Sequence, residues 1–270
     1  MQNPIAVFDA GIGSYAIVDE IHKRLPQQDI LYFADRASFP YGQKSPAQLR
    51  AVMQSTLSRL QSYDPVAIVM ASNAPSIMVL DDIRAFCNVP LYGVFPPLEQ
   101  ALDLSVTGHI GIMGVASLTE SEMLTRFIAA RTDQPQNVAR INASAMVRLV
   151  ESGAFLFDPD ATQQAVSVFI EDVFARHPDI DTLTLSSTHL PWLRPFFERA
   201  RPTCRFLDPA ADIVTALCTR IEGTNASGTG QILGLVTETP DYDLATFRKM
   251  LAQIGADIPL TPVPLLPVTS

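Results

Sequence analysis

The hydrophobic pattern alternates between short apolar runs and longer stretches in which apolar residues recur every three or four positions. Ile5 to Phe8, Ile30 to Phe33, Val66 to Ala71 and Leu91 to Val94 are runs of the first kind. Continuous apolar runs of this length predict strands buried on both faces. Between them, Tyr15 to Arg24, Pro46 to Tyr63 and Ser76 to Phe86 carry helical spacing. The rhythm restarts with a strand at His109 to Gly114 and helical patterns at Leu118 to Ala130, Val147 to Glu151 and Ala161 to Ala175. Thr182 to Leu185 then predicts a strand, Pro191 to Ala200 a helix, Arg205 to Leu207 a short strand and Asp212 to Ile221 a helix. A late strand, Ile232 to Val236, precedes a helix over Tyr242 to Leu251. The tail from Ile258 holds four prolines without periodicity and predicts a surface strand or loop.

Strands alternating with helices imply parallel sheets covered on both faces, an α/β class. The strands at Ile5 and His109 open comparable halves, a weak internal duplication. The expected architecture is two similar three-layer α/β domains with mostly parallel sheets facing a central cleft. The helix from Asp212 is expected to return the chain to the first half. That makes the first domain discontinuous, 1–95 plus 210–270, with 96–209 forming the second.

Two segments look like copies of each other. Ala67-Ile68-Val69-Met70-Ala71-Ser72-Asn73-Ala74-Pro75-Ser76 and Leu183-Thr184-Leu185-Ser186-Ser187-Thr188-His189-Leu190-Pro191 each run from apolar residues into small hydroxyl residues and then a helical pattern. Each is a strand delivering polar groups at its carboxyl end, where open α/β sheets bind ligands. A third such bend, Phe8-Asp9-Ala10-Gly11-Ile12-Gly13-Ser14, opens a helix whose free N–H groups suit an anion. Its spacing is not the dinucleotide fingerprint. Asp9 fits a helix N-cap and a pocket acid equally well. Asp35 reads locally as a loop cap and Tyr41 as surface packing. Among four histidines, His189 alone stands at a strand tip, where it can donate or accept a proton near neutral pH. His22 and His177 read as solvated, and His109 as structural.

The composition narrows the classes. Of 270 residues 47% are hydrophobic and 17% charged, a globular balance. A net charge of −9 and no basic stripe argue against nucleic acid as partner. No apolar run approaches membrane-spanning length. The opening Met1-Gln2-Asn3-Pro4 runs into a strand pattern rather than a basic and then apolar leader, so a cytoplasmic protein is expected. Cys87, Cys204 and Cys218, sparse and odd in number, read as reduced thiols, and no zinc-ligand spacing is present.

Several motifs in order resemble the glutamate/aspartate racemase family of cofactor-independent amino-acid racemases, and within it the glutamate racemases. Phe8 to Ser14 matches the family's Phe-Asp-Ser-Gly-Val-Gly-Gly. Tyr32 to Asp35 matches Tyr-Phe-Gly-Asp, and Pro40, Tyr41 and Gly42 match Pro-Tyr-Gly. Ala71 to Ser76 matches Ala-Cys-Asn-Thr-Ala-Ser, and Ser186 to Pro191 matches Gly-Cys-Thr-His-Tyr-Pro. The similarity runs from about Ile5 to about Asp212. It implies two α/β domains around a cleft, a homodimer, no cofactor, no metal, and a small acidic amino acid or carboxylate as ligand. It further implies two opposed cysteines, one removing the α-proton and the other returning it on the opposite face. Asp9, His189 and Glu151 would assist; Ala10, Asp35, Pro40, Tyr41, Gly42, Asn73, Ala74, Thr119 and Thr188 would line the substrate.

The chain departs from that pattern where the chemistry is done. Ser72 and Ser187 occupy both cysteine positions, and Ala10, Ala74 and Ser186 replace a serine, a threonine and a glycine beside them. A thiol ionises near pH 8.5, about the value that lets neighbours tune it to thiolate. A serine hydroxyl is a hydrogen-bonding group that becomes a nucleophile only beside a base. Two-thiol racemisation is therefore expected to be lost. Four readings follow: a binding protein for an acidic amino acid or carboxylate; an enzyme using Asp9, His189 and Glu151; an engineered cysteine-to-serine racemase; or an interaction protein with a vestigial cleft. Tyr15, Phe39 and Trp192 are the side chains expected to fill such a cleft if it has collapsed. The changed neighbours argue against engineering, which would alter the cysteines alone.

Overall fold

A computed structural model of the chain describes residues 1–221, 228–256 and 258–265. The chain divides into two units, Met1–Val94 with Ala210–Ser270 in the first and Phe95–Pro209 in the second. Pro267, the last of the tail prolines, lies outside the described residues.

The first unit opens with β1 (Ile5–Asp9), α1 (Tyr15–Arg24), β2 (Ile30–Asp35), α2 (Pro46–Gln61), β3 (Ala67–Met70), α3 (Asn73–Ile83) and β4 (Leu91–Gly93). The second contains α4 (Leu98–Leu104), β5 (Ile110–Gly114), α5 (Ala116–Thr119), α6 (Glu122–Ala129), β6 (Val138–Asn142), α7 (Ser144–Glu151), α8 (Ala154–Phe157), α9 (Pro159–Arg176), β7 (Thr182–Leu185), α10 (Arg194–Ala200) and β8 (Arg205–Leu207). The chain then returns to the first unit as α11 (Ala210–Ile221), β9 (Ile232–Thr237), α12 (Leu244–Gln253) and β10 (Leu260–Pro262).

All strand pairs are parallel, in the order β10-β9-β2-β1-β3-β4 in the first unit and β6-β5-β7-β8 in the second. Every residue of β1, β2 and β3 is buried, as expected of strands covered on both faces. Ala6, Phe8, Leu31, Phe33, Ile68 and Met70 pack with the Leu49, Met53, Leu57 and Leu60 stripe of α2 and with Val79, Leu80 and Ile83 of α3. By the period of two, their neighbours in sequence face the opposite side, where the Tyr32 ring meets Tyr15 of α1 and α1 packs on α11. A capping box fixes the start of α2: the Ser45 hydroxyl accepts from the Gln48 amide, and the Gln48 side chain accepts from the Ser45 amide.

One carboxylate in each unit pins loops to the amino ends of the strands. Asp29, 1% exposed, accepts from the amides of Gln2, Thr229 and Gln231 and from the Thr229 hydroxyl. Asp181 accepts from the amides of Val106 and Thr107 and the hydroxyls of Ser105 and Thr182. Burial works against ionisation of both, but these donors outweigh it and hold both carboxyls below their ordinary value.

The structure differs from the sequence expectation in four places. The helix expected over Leu118 to Ala130 is two: α5 ends at Thr119, and Ser121 starts α6 by accepting from the Leu124 amide. α3 begins at Asn73, three residues before the apolar stripe, so its first turn is made of polar and small residues. The strand β6 carried no clear period because it is an edge strand with Arg140 and Asn142 exposed. The short helices α4 and α8 escape detection, each being two turns or fewer.

Candidate functional site

In the first unit the parallel arrangement puts the ends of β1, β2 and β3 side by side, with β1 between its neighbours. Asp9 is the last residue of β1 and Asp35 the last of β2; both are buried. Ala10 is buried immediately after Asp9, and Gly11 holds the N-cap position of the short turn that follows. Pro40, Tyr41 and Gly42 follow β2, and Tyr41 turns inward to donate its hydroxyl proton to Asp35 Oδ2 at 3.2 Å. Asp35 Oδ1 accepts from the Thr237 hydroxyl at 3.0 Å, and that hydroxyl oxygen accepts from the Ala37 amide at 3.0 Å. Burial pushes the Asp35 carboxyl up, partly offset by hydrogen bonds from Ser38, Thr237 and Tyr41 and by the charge of Lys44. Burial, with the charges of Asp35 and Asp9, pushes the Tyr41 phenol well above its usual range. Tyr41 is therefore a neutral donor held among two acids.

Beside them, Ser72 is the N-cap of α3, yet its side chain makes no capping hydrogen bond. Asn73 and Ala74 form the first turn, both buried. Asn73 is 2% exposed, and neither its Oδ1 nor its Nδ2 has a hydrogen-bond partner. An amide desolvated on both atoms costs roughly 1–3 kcal/mol for each unmade bond.

In the second unit, β5 and β7 are neighbours, and the residues after them make the corresponding tip. Ser187, Thr188 and His189 follow β7 and are buried. His189 Nε2 lies 2.9 Å from Glu151 Oε2, with both side chains 5% exposed. Glu151 is the last residue of α7, closed by Gly153 at φ +78°, a left-handed position that suits glycine. The turn Leu190–Leu193 packs on α7 and so sets Glu151 against the histidine. Thr119 ends α5, and its hydroxyl donates back to the carbonyls of Val115 and Ala116. Thus Asp9, Ala10, Asp35, Pro40, Tyr41, Gly42, Ser72, Asn73 and Ala74 lie at the strand tips of the first unit. Thr119, Glu151, Ser187, Thr188 and His189 lie in the second.

None of the cysteines stands at a strand tip. Cys87 and Cys204 precede β4 and β8, at their amino ends, and Cys218 lies within α11. Burial, with the charge of Asp181, pushes the Cys204 thiol up to about 12, the reverse of a reactive thiolate. The aromatic side chains flagged as possible fillers pack within their own units: Phe39 on Tyr242, Tyr15 on Tyr32 and Trp192 on Phe155. Thr237 was missed by sequence reading. It lies 202 residues from Asp35 in the chain, and only the pairing of β9 with β2 brings the two together.

The Asp/Glu/Hydantoin racemase family profile matches residues 14–217. The glutamate racemase of Desulforudis audaxviator is 34% identical over 214 residues, covering 78% of this chain and 77% of its own. That of Persephonella marina is 29% identical and covers 95% of both chains. Among solved structures, glutamate racemase from Thermus thermophilus, crystallised with β-chloro-D-alanine, is 28% identical with a TM-score of 0.80 and 98% coverage of both chains. A Bacillus anthracis glutamate racemase shares the fold at a TM-score of 0.83, 22% identity and 97% coverage of both chains. With the matched profile spanning the β2 and β3 tips of the first unit and the tip residues of the second, the chain belongs to the Asp/Glu/Hydantoin racemase family.

Proposed function

We propose that this chain binds a small acidic amino acid or a related carboxylate and does not run two-thiol racemisation on it. The observation that carries binding is Asn73, a buried amide with both polar atoms unpartnered at the β3 tip. A carboxylate or ammonium group of a ligand satisfies such an amide and recovers the desolvation cost. The neutral Tyr41 donor and the buried Asp9 and Asp35 carboxyls provide a polar frame of both hydrogen-bonding senses beside it. The ligand class rests on the family and on what its relatives act on.

The loss of racemisation rests on Ser72 and Ser187. An amino-acid α-proton is very weakly acidic, so its base must be strong, close and desolvated. A hydroxyl in the pH range of proteins is not such a base. Among the described residues, neither serine has a basic side chain hydrogen-bonded to its oxygen. The buried Glu151–His189 pair favours a second reading, in which these two groups still move a proton on a more acidic substrate.

Two measurements test the proposal together. A thermal-shift screen with both enantiomers of glutamate and aspartate, and with simple dicarboxylates, is expected to raise the melting temperature for at least one compound. No shift for any of them refutes binding. Proton NMR in deuterated water is expected to show the α-proton of the bound amino acid retained. Enzyme-like exchange refutes the loss of chemistry and favours the Glu151–His189 reading.

A further inference from the structure

A cavity of about 590 Å³ lies within the first unit, between the loop after β2 and one side of α2. Its size is that of ordinary small-molecule sites. The helix shows why it is there. α2 buries one apolar stripe, Leu49, Met53, Leu57 and Leu60, in the core. A second stripe one position round, Val52, Ser55, Thr56 and Arg59, faces the cavity.

The walls combine apolar and cationic groups. Phe33, Phe39 and Val52 supply the apolar surface, and Arg59 and Lys44 the positive charge. The Arg59 guanidinium stands 5.5 Å over the Phe33 ring and donates through Nη2 to the Pro264 carbonyl. Its Nη1 is shut off from solvent without an acceptor. Asp35 also borders the cavity, but its oxygens already accept from Tyr41 and Thr237. Two cations against one carboxylate leave the wall with one unmatched positive charge.

We infer that this cavity, which shares Asp35 and Pro40 with the β2 tip but is not lined by Ser72 or Asn73, is a second ligand site for an organic monocarboxylate with an apolar or aromatic body. The carboxylate pairs with the charge of the Arg59 guanidinium, with Lys44 adding a second cation, and the body lies against Phe33, Phe39 and Val52. Arg59 suits the role because its guanidinium stays charged when desolvated and stacks on an aromatic ring while donating in its own plane. The acidic amino acids of the first proposal lack that apolar body, so the two sites take different compounds.

Titration calorimetry on the whole chain with phenylacetate, octanoate and phenylacetamide tests this. The carboxylates are expected to bind saturably at one equivalent. Phenylacetamide is expected to bind about tenfold more weakly or worse, the value of one charge-assisted hydrogen bond. Arg59→Met is expected to weaken the carboxylates by a similar factor, and Asn73→Ala to leave them unchanged. Absence of saturable binding by both carboxylates overturns the inference, as does equal binding of the amide. Both of these comparisons use the unaltered chain and hold whether or not a variant folds. Carboxylate binding lost in Asn73→Ala but kept in Arg59→Met places it at the strand tip and overturns it too. These results are independent of the glutamate and aspartate screen, so either proposal can fail alone.

Discussion

Removing the acid from the buried Glu151–His189 pair probes the second unit where structure and chemistry coincide. The pair is 2.9 Å apart, and each side chain is 5% exposed, so neither partner can turn to water without local unfolding. Breaking a buried ion pair by deleting one member costs about 3–5 kcal/mol when the survivor stays charged. Leaving a buried polar group unsatisfied without a charge costs less, roughly 1–3 kcal/mol. Glu151→Ala is therefore expected to destabilise the second unit by about 3 kcal/mol. Glu151→Gln, which keeps an acceptor in place, should cost only about 1 kcal/mol. Urea unfolding followed by tryptophan fluorescence is the assay. The single tryptophan, Trp192, sits in the turn packed on α7 and reports this unit directly. The midpoint should shift without a change in slope. Adding His189→Leu completes a double-mutant cycle, with an expected coupling of about 1–2 kcal/mol. A cost for Glu151→Ala below about 0.5 kcal/mol, or no coupling, refutes the claim that the two side chains support each other.

Three further outcomes follow from the geometry. Asn73→Ala should leave the unliganded protein as stable as before or more so, because it deletes unsatisfied polar atoms, while abolishing any glutamate- or aspartate-induced melting shift; a large loss of stability would show the amide to be structural. Thr237→Val removes the donor to Asp35 and the acceptor of the Ala37 amide and should cost about 2 kcal/mol by denaturant titration; a neutral effect would show the loop after β2 to be held otherwise. The Asp29 carboxyl is held below its unfolded value, so its stabilisation is complete above about pH 4 and lost as pH falls through the folded value. Asp29→Asn should therefore differ most from the parent near neutral pH, and the two stability curves should converge in acid; parallel curves down to about pH 3 would refute this.

The sheets were legible in the sequence because parallel strands buried on both faces leave continuous apolar runs that need no context. The same runs end in Asp9, Asp35, Ser72 and Ser187, so the polar tips could be read as tips. The edge strand β6 was not legible, because half of it faces water and its pattern is set by a single neighbour. Nor was the break between α5 and α6, which depends on one serine cap inside a helical period.

What the sequence by itself determined is the α/β class, the order of the motifs and the presence of a serine, Ser72 and Ser187, after the β3 and β7 runs. These are properties of residue type and spacing. Only the tertiary structure decided which side chains meet. Glu151 reaches His189 because a turn packs on α7, Thr237 reaches Asp35 because β9 pairs with β2, and the β2 loop leaves a cavity beside α2. Contacts of that kind join residues 38 and 202 positions apart. No local pattern encodes them, since they follow from packing each apolar face against a partner from elsewhere in the chain.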